Sequence, residues 1–424
     1  MTITEKILAK SSNKKNVVPG DVVITNIDKV MIHDVSGPGV IKVFSQWEKK
    51  GVKLKKIWNP DNVWISEDHF VPAADRHSAE NITHLTKWSK KYNIKKHYKY
   101  GLGQYGICHT LSHEEGLVLP GEVYVGGDSH TNTTGALGAL AVGLGHTDIA
   151  YVLMNGKIWF KVPETILFKL VGNKPEHIMA KDIILKIIGD IGHDGANYKT
   201  MEFGGERIKD ITIEERLTLT NMTTEAGAKN GIIESDEMTS KYIKERTNKE
   251  FKTIKSDNNA EYCDIYEYEL DKIEPIVAKP YSPENIATAR EVQGIEIDKA
   301  YIGSCTGAKL EDLRMAAKII KGKQVKTRTE VLPAAQSIYV KAIKEGLINI
   351  FLEAGAVVGP PTCGACCGAH MGVLSKDEIC ISTTNRNFPG RMGHLKSKTY
   401  LASPMVVAAS AIKGKITDPR DIKN

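Results

Sequence analysis

The chain of 424 residues is longer than one hydrophobic core usually sustains, so two or three domains are expected, each burying a core without disulfide support. Seven cysteines make an odd number, no charged-then-apolar leader opens the chain, and no apolar run reaches about eighteen residues; these features exclude a disulfide framework and a helical membrane anchor, and imply a cytoplasmic chain with reduced thiols. The net charge of +6 comes from lysines dispersed among acidic residues, which fits a solvated surface better than a nucleic-acid interface, so neither nucleic acid nor membrane is expected as a partner.

From the N-terminus onward, short apolar strands run into polar turns. Val63-Trp64-Ile65 leads into Ser66-Glu67-Asp68-His69. Between Lys87 and Lys99, lysines interleaved with Trp88, Tyr92 and Tyr98 read as an exposed helix face. Gly101, Gly103 and Gly106 spell G-x-G-x-x-G, but no clean strand precedes them and Pro120-Gly121 arrives too soon for a crossover helix. A tight turn presenting His109 is the better reading. Val123-Tyr124-Val125-Gly126-Gly127 enters Asp128-Ser129-His130-Thr131, whose residue types are those of a hydrolase triad; three consecutive residues do not point at one another as a triad must.

Prolines interrupt the pattern at Lys161-Val162-Pro163 and again from Lys279 to Pro283, so the expected units are 1–162, 163–280 and 281–424. The glutamate- and lysine-rich stretch from Thr239 to Asn258 reads as surface helix and loop. Further strands are expected at Ala300-Tyr301-Ile302 before Cys305, at Ala356-Val357-Val358 before Cys363, and at Ile379-Cys380-Ile381 before Asn385 and Arg386. Leu310, Leu313, Ala317 and Ile320 mark an amphipathic helix after Cys305. Strand, turn and helix repeated in this way indicate α/β domains, in which ligands collect beyond the carboxyl ends of the strands.

Cys305, Cys363 and Cys366 stand in glycine-flanked turns. Three thiolates can hold a 4Fe-4S cube, which needs four ligands, and leave one iron open to act as a Lewis acid. The Cys363–Cys366 pair alone would also fit a redox dithiol, or half a zinc site with His370 as the nearby further ligand. Arg386 and Arg391, five residues apart around a Pro-Gly turn, are planar forks suited to carboxylates.

Seven motifs taken together resemble the aconitase superfamily, in order and approximate spacing over nearly the whole chain. They are Asp68-His69; Gly106-Ile107-Cys108-His109-Thr110; Asp128-Ser129-His130-Thr131; Asn221-Met222-Thr223-Thr224-Glu225; Gly303-Ser304-Cys305-Thr306; Pro361-Thr362-Cys363-Gly364-Ala365-Cys366; and Thr384-Asn385-Arg386-Asn387-Phe388-Pro389-Gly390-Arg391. The resemblance implies three α/β domains around a cluster-containing cleft, with the fourth, swivelling domain carried by a separate small subunit in a heterodimer or heterotetramer. It implies a 4Fe-4S cluster on Cys305, Cys363 and Cys366 with one iron free of protein ligands.

Under the same resemblance His69, oriented by Asp68, is the acid for the leaving hydroxyl. His109, Asp128, His130 and Glu225 surround the open iron and its water. His33, Ser129, Arg386 and Arg391 meet the substrate, and Asn221 and Asn385 support the cluster. The implied activity is a hydro-lyase acting on a hydroxy-dicarboxylate or tricarboxylate, with interconversion of 2- and 3-isopropylmalate in leucine biosynthesis favoured over homocitrate chemistry. A non-catalytic metal- or RNA-binding protein on the same fold is the more distant alternative. The base and further substrate-binding arginines lie on the swivelling domain in the family, so this chain is expected to be inactive alone.

Cys263 and Cys380 lie in strand-like apolar stretches and are expected to be buried small hydrophobes, while Cys108 and Cys367 adjoin site residues. One position departs from the family: where asparagine usually follows Ser-Cys-Thr, this chain has Gly307, so a side-chain amide beside the cluster loop is lost.

Overall fold

The computed structural model describes residues 1–423. Three parallel or largely parallel sheets carry the architecture, each with its own apolar core. The first orders its strands Lys96–Tyr98, Val63–Ser66, Lys29–His33, Val123–Gly126 and Leu140–Gly143, all parallel. Its central strands Val63–Ser66 and Val123–Gly126 are buried at every position, as expected of strands covered on both faces. A small antiparallel ribbon of Val22–Asn26 and Lys157–Lys161 lies beside it.

The second sheet orders Asn230–Ile233, Thr200–Gly204, Thr165–Val171 and Asp264–Glu269. The third has seven strands, with Lys398–Ala402, Ile379–Ser382, Lys299–Ile302, Arg328–Val331 and Val357–Val358 in parallel, and with Ile276–Ala278 and Ile286–Thr288 added antiparallel at one edge. The helix expected after Cys305 spans Leu310–Ile320 and buries Leu310, Leu313, Ala317 and Ile320.

Register positions the site. His33 pairs with Ser66 and Met31 with Gly126, so the turns carrying Asp34, Asp68-His69 and Asp128 leave one edge of the first sheet together. In the third sheet Tyr301 pairs with Ser382, and Ile302 with Val331, which itself pairs with Val358. The Cys305, Cys363 and Asn385 turns therefore also share an edge. The Gly101–Gly106 segment is a turn with left-handed backbone at all three glycines, followed by the helix Cys108–Glu114. One expectation fails: Cys263 is exposed, because it precedes the edge strand Asp264–Glu269, whose outer side no neighbouring strand covers. Cys380 is buried as expected.

Glu114 ties the first sheet's layer to distant segments. Its carboxylate accepts from Arg246 at 2.9 Å, Ser337 at 3.0 Å and Tyr242 Oη at 3.1 Å, and Lys341 lies 3.2 Å away. Burial pushes this carboxyl up, but the charges around it prevail and hold it at about 2, against 4.5 for a free glutamate. Burial also keeps the adjoining His113 neutral down to about 3, so Arg246 and Lys341 are the cations at neutral pH. A depressed folded-state carboxyl contributes stability that is present above its unfolded value and lost as pH falls through its folded value. By linkage this one is worth about 3 kcal/mol. The His113 share of that shift is absent while His113 is neutral, so Glu114→Gln should lower the unfolding free energy by less than that amount at pH 7, about 1–2 kcal/mol from Arg246 and Lys341, with the deficit closing as pH falls from the unfolded value toward about 2. Urea melts over that pH range check this; a deficit independent of pH would show that packing, not charge, is what Glu114 supplies.

Candidate active site

Cys305 follows the strand Lys299–Ile302 through Gly303 and Ser304. Ser304 has φ +75, a left-handed conformation costing about 1–3 kcal/mol for a residue with a side chain. Its hydroxyl lies 3.7 Å from both Cys305 Sγ and Cys366 Sγ, so the two thiols flank it. Cys363 opens a 3-10 turn in which Gly364 also has positive φ; a Cβ at Gly364 would stand 2.6 Å from Tyr301 Oη, so only glycine fits. Tyr301 Oη in turn donates to the Cys363 carbonyl at 2.9 Å. All three cysteines are 6% exposed. Burial pushes the Cys305 thiol up to about 11 and Cys363 well above its ordinary value.

Hydrogen-bond donors point at these sulfurs. Asn221 Nδ2 reaches Cys305 Sγ at 3.1 Å and Asn385 Nδ2 reaches it at 3.5 Å, while Asn385 donates to Asn221 Oδ1 at 3.1 Å. Asn221 ends the helix Ile213–Asn221, whose side packs on the Ser129–Leu137 turn, and Thr133 Oγ1 fixes the same amide at 2.7 Å. Arg391, largely buried, lies beside Cys366, and the sulfur charges hold it firmly protonated against its burial.

The cysteine loop is bolted to the first sheet through Asp68. Its carbonyl accepts from Cys363 N at 2.9 Å and Thr362 Oγ1 at 2.7 Å, and its carboxylate accepts from Cys108 N at 2.6 Å. The same carboxylate binds His69 Nδ1 at 2.8 Å. Burial works against both charges, but their mutual attraction prevails: Asp68 is pulled well below the usual carboxylate range and His69 raised well above an ordinary imidazole. The pair therefore behaves as carboxylate and imidazolium, with His69 also beside the Cys363 thiol.

His109 Nε2 meets Asp128 Oδ1 at 2.8 Å, and the same oxygen accepts His130 N at 2.8 Å. His130 Nε2 meets Glu225 Oε1 at 3.0 Å, and Arg386 Nε donates to that oxygen at 2.7 Å. His33 stacks on His69 at 4.5 Å, and its Nδ1 accepts from Val35 N, which directs Nε2 toward Asp128 Oδ2, 3.6 Å away. Burial lowers His109, while the histidines around Asp128 overcome its own burial and hold it well below the usual range. The structure thus brings together every expected site residue except Ser129. That residue lines a separate shallow depression with Asn132, Tyr198 and Lys229. His33 Nε2, His109 Nδ1, Glu225 Oε2 and Arg391 Nε are buried without a partner among the described residues, which leaves hydrogen-bonding capacity for a polar ligand.

Three residues escaped the sequence reading. Asp34 accepts from His69 N at 3.1 Å and Phe70 N at 2.7 Å, and so orients the backbone that presents His69. Its signal was available, since it directly follows His33 at a strand end. Lys181 and Lys309 are each 1% exposed and lie around the Cys305 loop. Nothing distinguishes them in a lysine-rich sequence. Gly307 also finds its explanation: a Cβ there would stand 2.1 Å from Thr383, whose hydroxyl accepts from Gly303 N at 2.9 Å and donates to Gly303 O at 2.8 Å. Thr383 fills the space beside the loop and supplies polar contacts to it.

A family model described as the aconitase family (aconitate hydratase) matches residues 5–414. The chain is 49% identical over 429 residues to the 3-isopropylmalate dehydratase large subunit of Aquifex aeolicus, covering 100% of this chain and 98% of that protein. It is 48% identical over 426 residues to 3-isopropylmalate dehydratase large subunit 1 of Pyrococcus furiosus, covering 100% and 99%. Among solved structures, the holo-form of Thermococcus kodakaraensis aconitase X is similar in fold alone, with a TM-score of 0.50 and 12% identity over 86% of this chain and 84% of that one. With the family model spanning nearly its whole length and relatives near half identical from end to end, the chain belongs to the aconitase family.

Proposed function

We propose that the chain is the large, catalytic subunit of an iron-sulfur hydro-lyase that interconverts 2-isopropylmalate and 3-isopropylmalate by dehydration and rehydration in leucine biosynthesis. The full-length relatives bearing the name 3-isopropylmalate dehydratase large subunit support the substrate. The observation that carries the chemistry is the meeting of three buried cysteines with the Asp68–His69 pair, joined directly by Cys363 N to Asp68 O.

The residues fit a 4Fe-4S cluster. Cys305, Cys363 and Cys366 are all buried, and the Ser304 hydroxyl stands between two of their sulfurs, a soft donor set suited to a cube that takes each sulfur at a separate corner. The Asn221 and Asn385 amides and Arg391 offer N–H groups that stabilise thiolates. When bound, the cluster supplies an iron without a protein ligand that draws charge from the substrate hydroxyl as a Lewis acid.

His69, charged and held by Asp68 and Asp34, gives its Nε2 proton to the departing hydroxyl. Asp128 fixes His109 and His130 in place, and Glu225 fixes His130 and Arg386, so that these groups orient water and substrate without reorganising. Arg386 and Arg391 bind substrate carboxylate, with His33 at the same edge; Asn221 and Asn385 hold the Cys305 loop. The three units 1–162, 163–280 and 281–424 enclose this site, and a separate small subunit carries the swivelling domain, the base and the loop that reads the substrate side group, in a heterodimer or heterotetramer.

Anaerobic chain loaded with ferrous iron and sulfide, mixed with the separately expressed small subunit, should convert 2-isopropylmalate, whereas either subunit alone should not. Turnover of homocitrate in place of isopropylmalate would reassign the substrate. No turnover of either by a fully loaded pair would sink the hydro-lyase reading.

A further inference from the structure

Lys181 is a buried amine that the protein leaves without an anion. It stands in the first turn of the helix Ala180–Ile191 and is 1% exposed. Its ammonium donates to Thr306 Oγ1 at 3.0 Å, Thr383 O at 3.0 Å and Thr384 O at 2.7 Å, all neutral oxygens. Among the described residues no carboxylate forms a salt bridge with it.

The nearest carboxylates are committed elsewhere. Asp182, its neighbour, accepts from Met179 N and Ile276 N at 2.9 Å each. Asp312 is bound by Lys309 at 2.7 Å, and Glu225 by Arg386 and His130. Lys181 also sits at a helix N-terminus, where the backbone dipoles oppose a cation. Lys309, 3.4 Å from the Cys305 carbonyl, adds a second positive charge to the same loop. Asp312 is the one carboxylate bonded to either Lys181 or Lys309, so a positive charge on both is costly unless an anion lies close by. Burial lowers this ammonium to about 7, and the neighbour that does most to raise it again is the Cys305 sulfur, which a bound metal would hold as thiolate.

Resting on the cluster reading above, we propose that Lys181 is the fixed countercharge of the thiolate-held cluster. Cluster occupancy thereby controls how firmly the helix Ala180–Ile191 grips the Cys305 and Asn385 loops. The ammonium touches the residue after Cys305 and the two residues before Asn385, so one group senses both turns that contact the Cys305 sulfur. Loading neutralises the surplus charge, and the three hydrogen bonds then add to stability without an uncompensated cation. Lys181 is a positioning residue here, since it acts through the loops and the field.

The test uses the full chain, anaerobically loaded with iron and sulfide, as wild type, Lys181→Met, Lys181→Gln and Lys181→Arg. Three quantities are read: iron release to a ferrous chelator, cluster reduction potential, and the rise in melting temperature on loading. Both neutral variants should release iron at least about tenfold faster, as expected of a typical coupling between two sites. Their potential should move to more negative values, because a positive charge that favours reduction is gone. Their melting temperature should rise less on loading than that of wild type, while Lys181→Arg keeps wild-type values.

A purely structural lysine would lower loaded and unloaded forms equally, leaving the rise on loading and the potential unchanged; that result overturns the proposal. Lys181→Gln keeps a donor for the carbonyls and serves if Lys181→Met does not fold. Wild-type chain that takes up no iron and sulfide would instead refute the cluster reading itself, a failure visible before any variant is compared.

Discussion

Replacing Cys305 by alanine should give a folded chain that no longer retains the iron and acid-labile sulfide, about four of each, that the loaded wild type holds. Turnover with the small subunit should fall to background. The fold survives because the substitution removes one sulfur at a loop fixed independently by Thr383 to Gly303 and by Lys309 to the Cys305 carbonyl. The amides of Asn221 and Asn385 lose one acceptor but keep Thr133 Oγ1 and each other. The unfolding free energy should therefore drop by only about 1 kcal/mol, the scale of one hydrogen bond.

Cys380→Ala makes the matched control. That thiol is equally buried but lies in the strand Ile379–Ser382, away from the Cys305 loop's donors, so iron content should be unchanged. Iron and sulfide analysis with a visible absorption spectrum decides the matter. Full metal content in Cys305→Ala, or its loss in Cys380→Ala as well, would remove Cys305 from the ligand set.

The second large effect is expected at His69. His69→Gln should lower kcat by about 10²- to 10⁴-fold, the range typical of losing a general acid, with the cluster retained. The split between metal and activity follows from the contacts. Cys363 is held to this layer by the main chain of Asp68 and by Thr362, not by the imidazole. The glutamine side chain is uncharged and has no proton to give, so chemistry suffers while the loop stays in place. Asp68→Asn should be milder toward the metal than toward the rate, since an amide oxygen can still accept from Cys108 N but no longer favours a charged imidazole. Pre-steady-state formation of the unsaturated intermediate and iron content measured on the same samples separate the two roles. Iron loss in His69→Gln parallel to the activity loss would make His69 a support for the cysteine loop.

Much of the site was legible because its parts are local. A strand that ends in a polar turn is written in consecutive residues: Val63–Ser66 before Asp68-His69, Val123–Gly126 before Asp128, and Lys299–Ile302 before Cys305. The parallel ladders then bring these turns to shared edges, as α/β sheets do. Local pattern misled at Cys263, where an apolar-looking stretch proved to be the approach to an edge strand. Exposure there depends on which strand lies outermost, and no short window of sequence contains that information. Gly307 was read as a lost amide, but the compensating residue, Thr383, is remote in the chain and becomes a neighbour only when the strands Lys299–Ile302 and Ile379–Ser382 pair.

By itself, the sequence determined the α/β class, the strand-and-turn segments that bear Asp68, Asp128, Cys305 and Cys363, and the likeness to the aconitase family carried by seven collinear motifs. Only the tertiary structure decided how charge is distributed among those segments. The Asp68–His69 pair is made by adjacent residues, but its anchoring by Cys108 and its hold on Cys363 join positions far apart in the chain. The same holds for Asn221 with Cys305, Arg386 with Glu225, and Lys181 with Thr306 and Thr384. The physical reason is that backbone propensity acts over a few residues, whereas the cost of burying a charge is met only by partners that packing delivers from elsewhere.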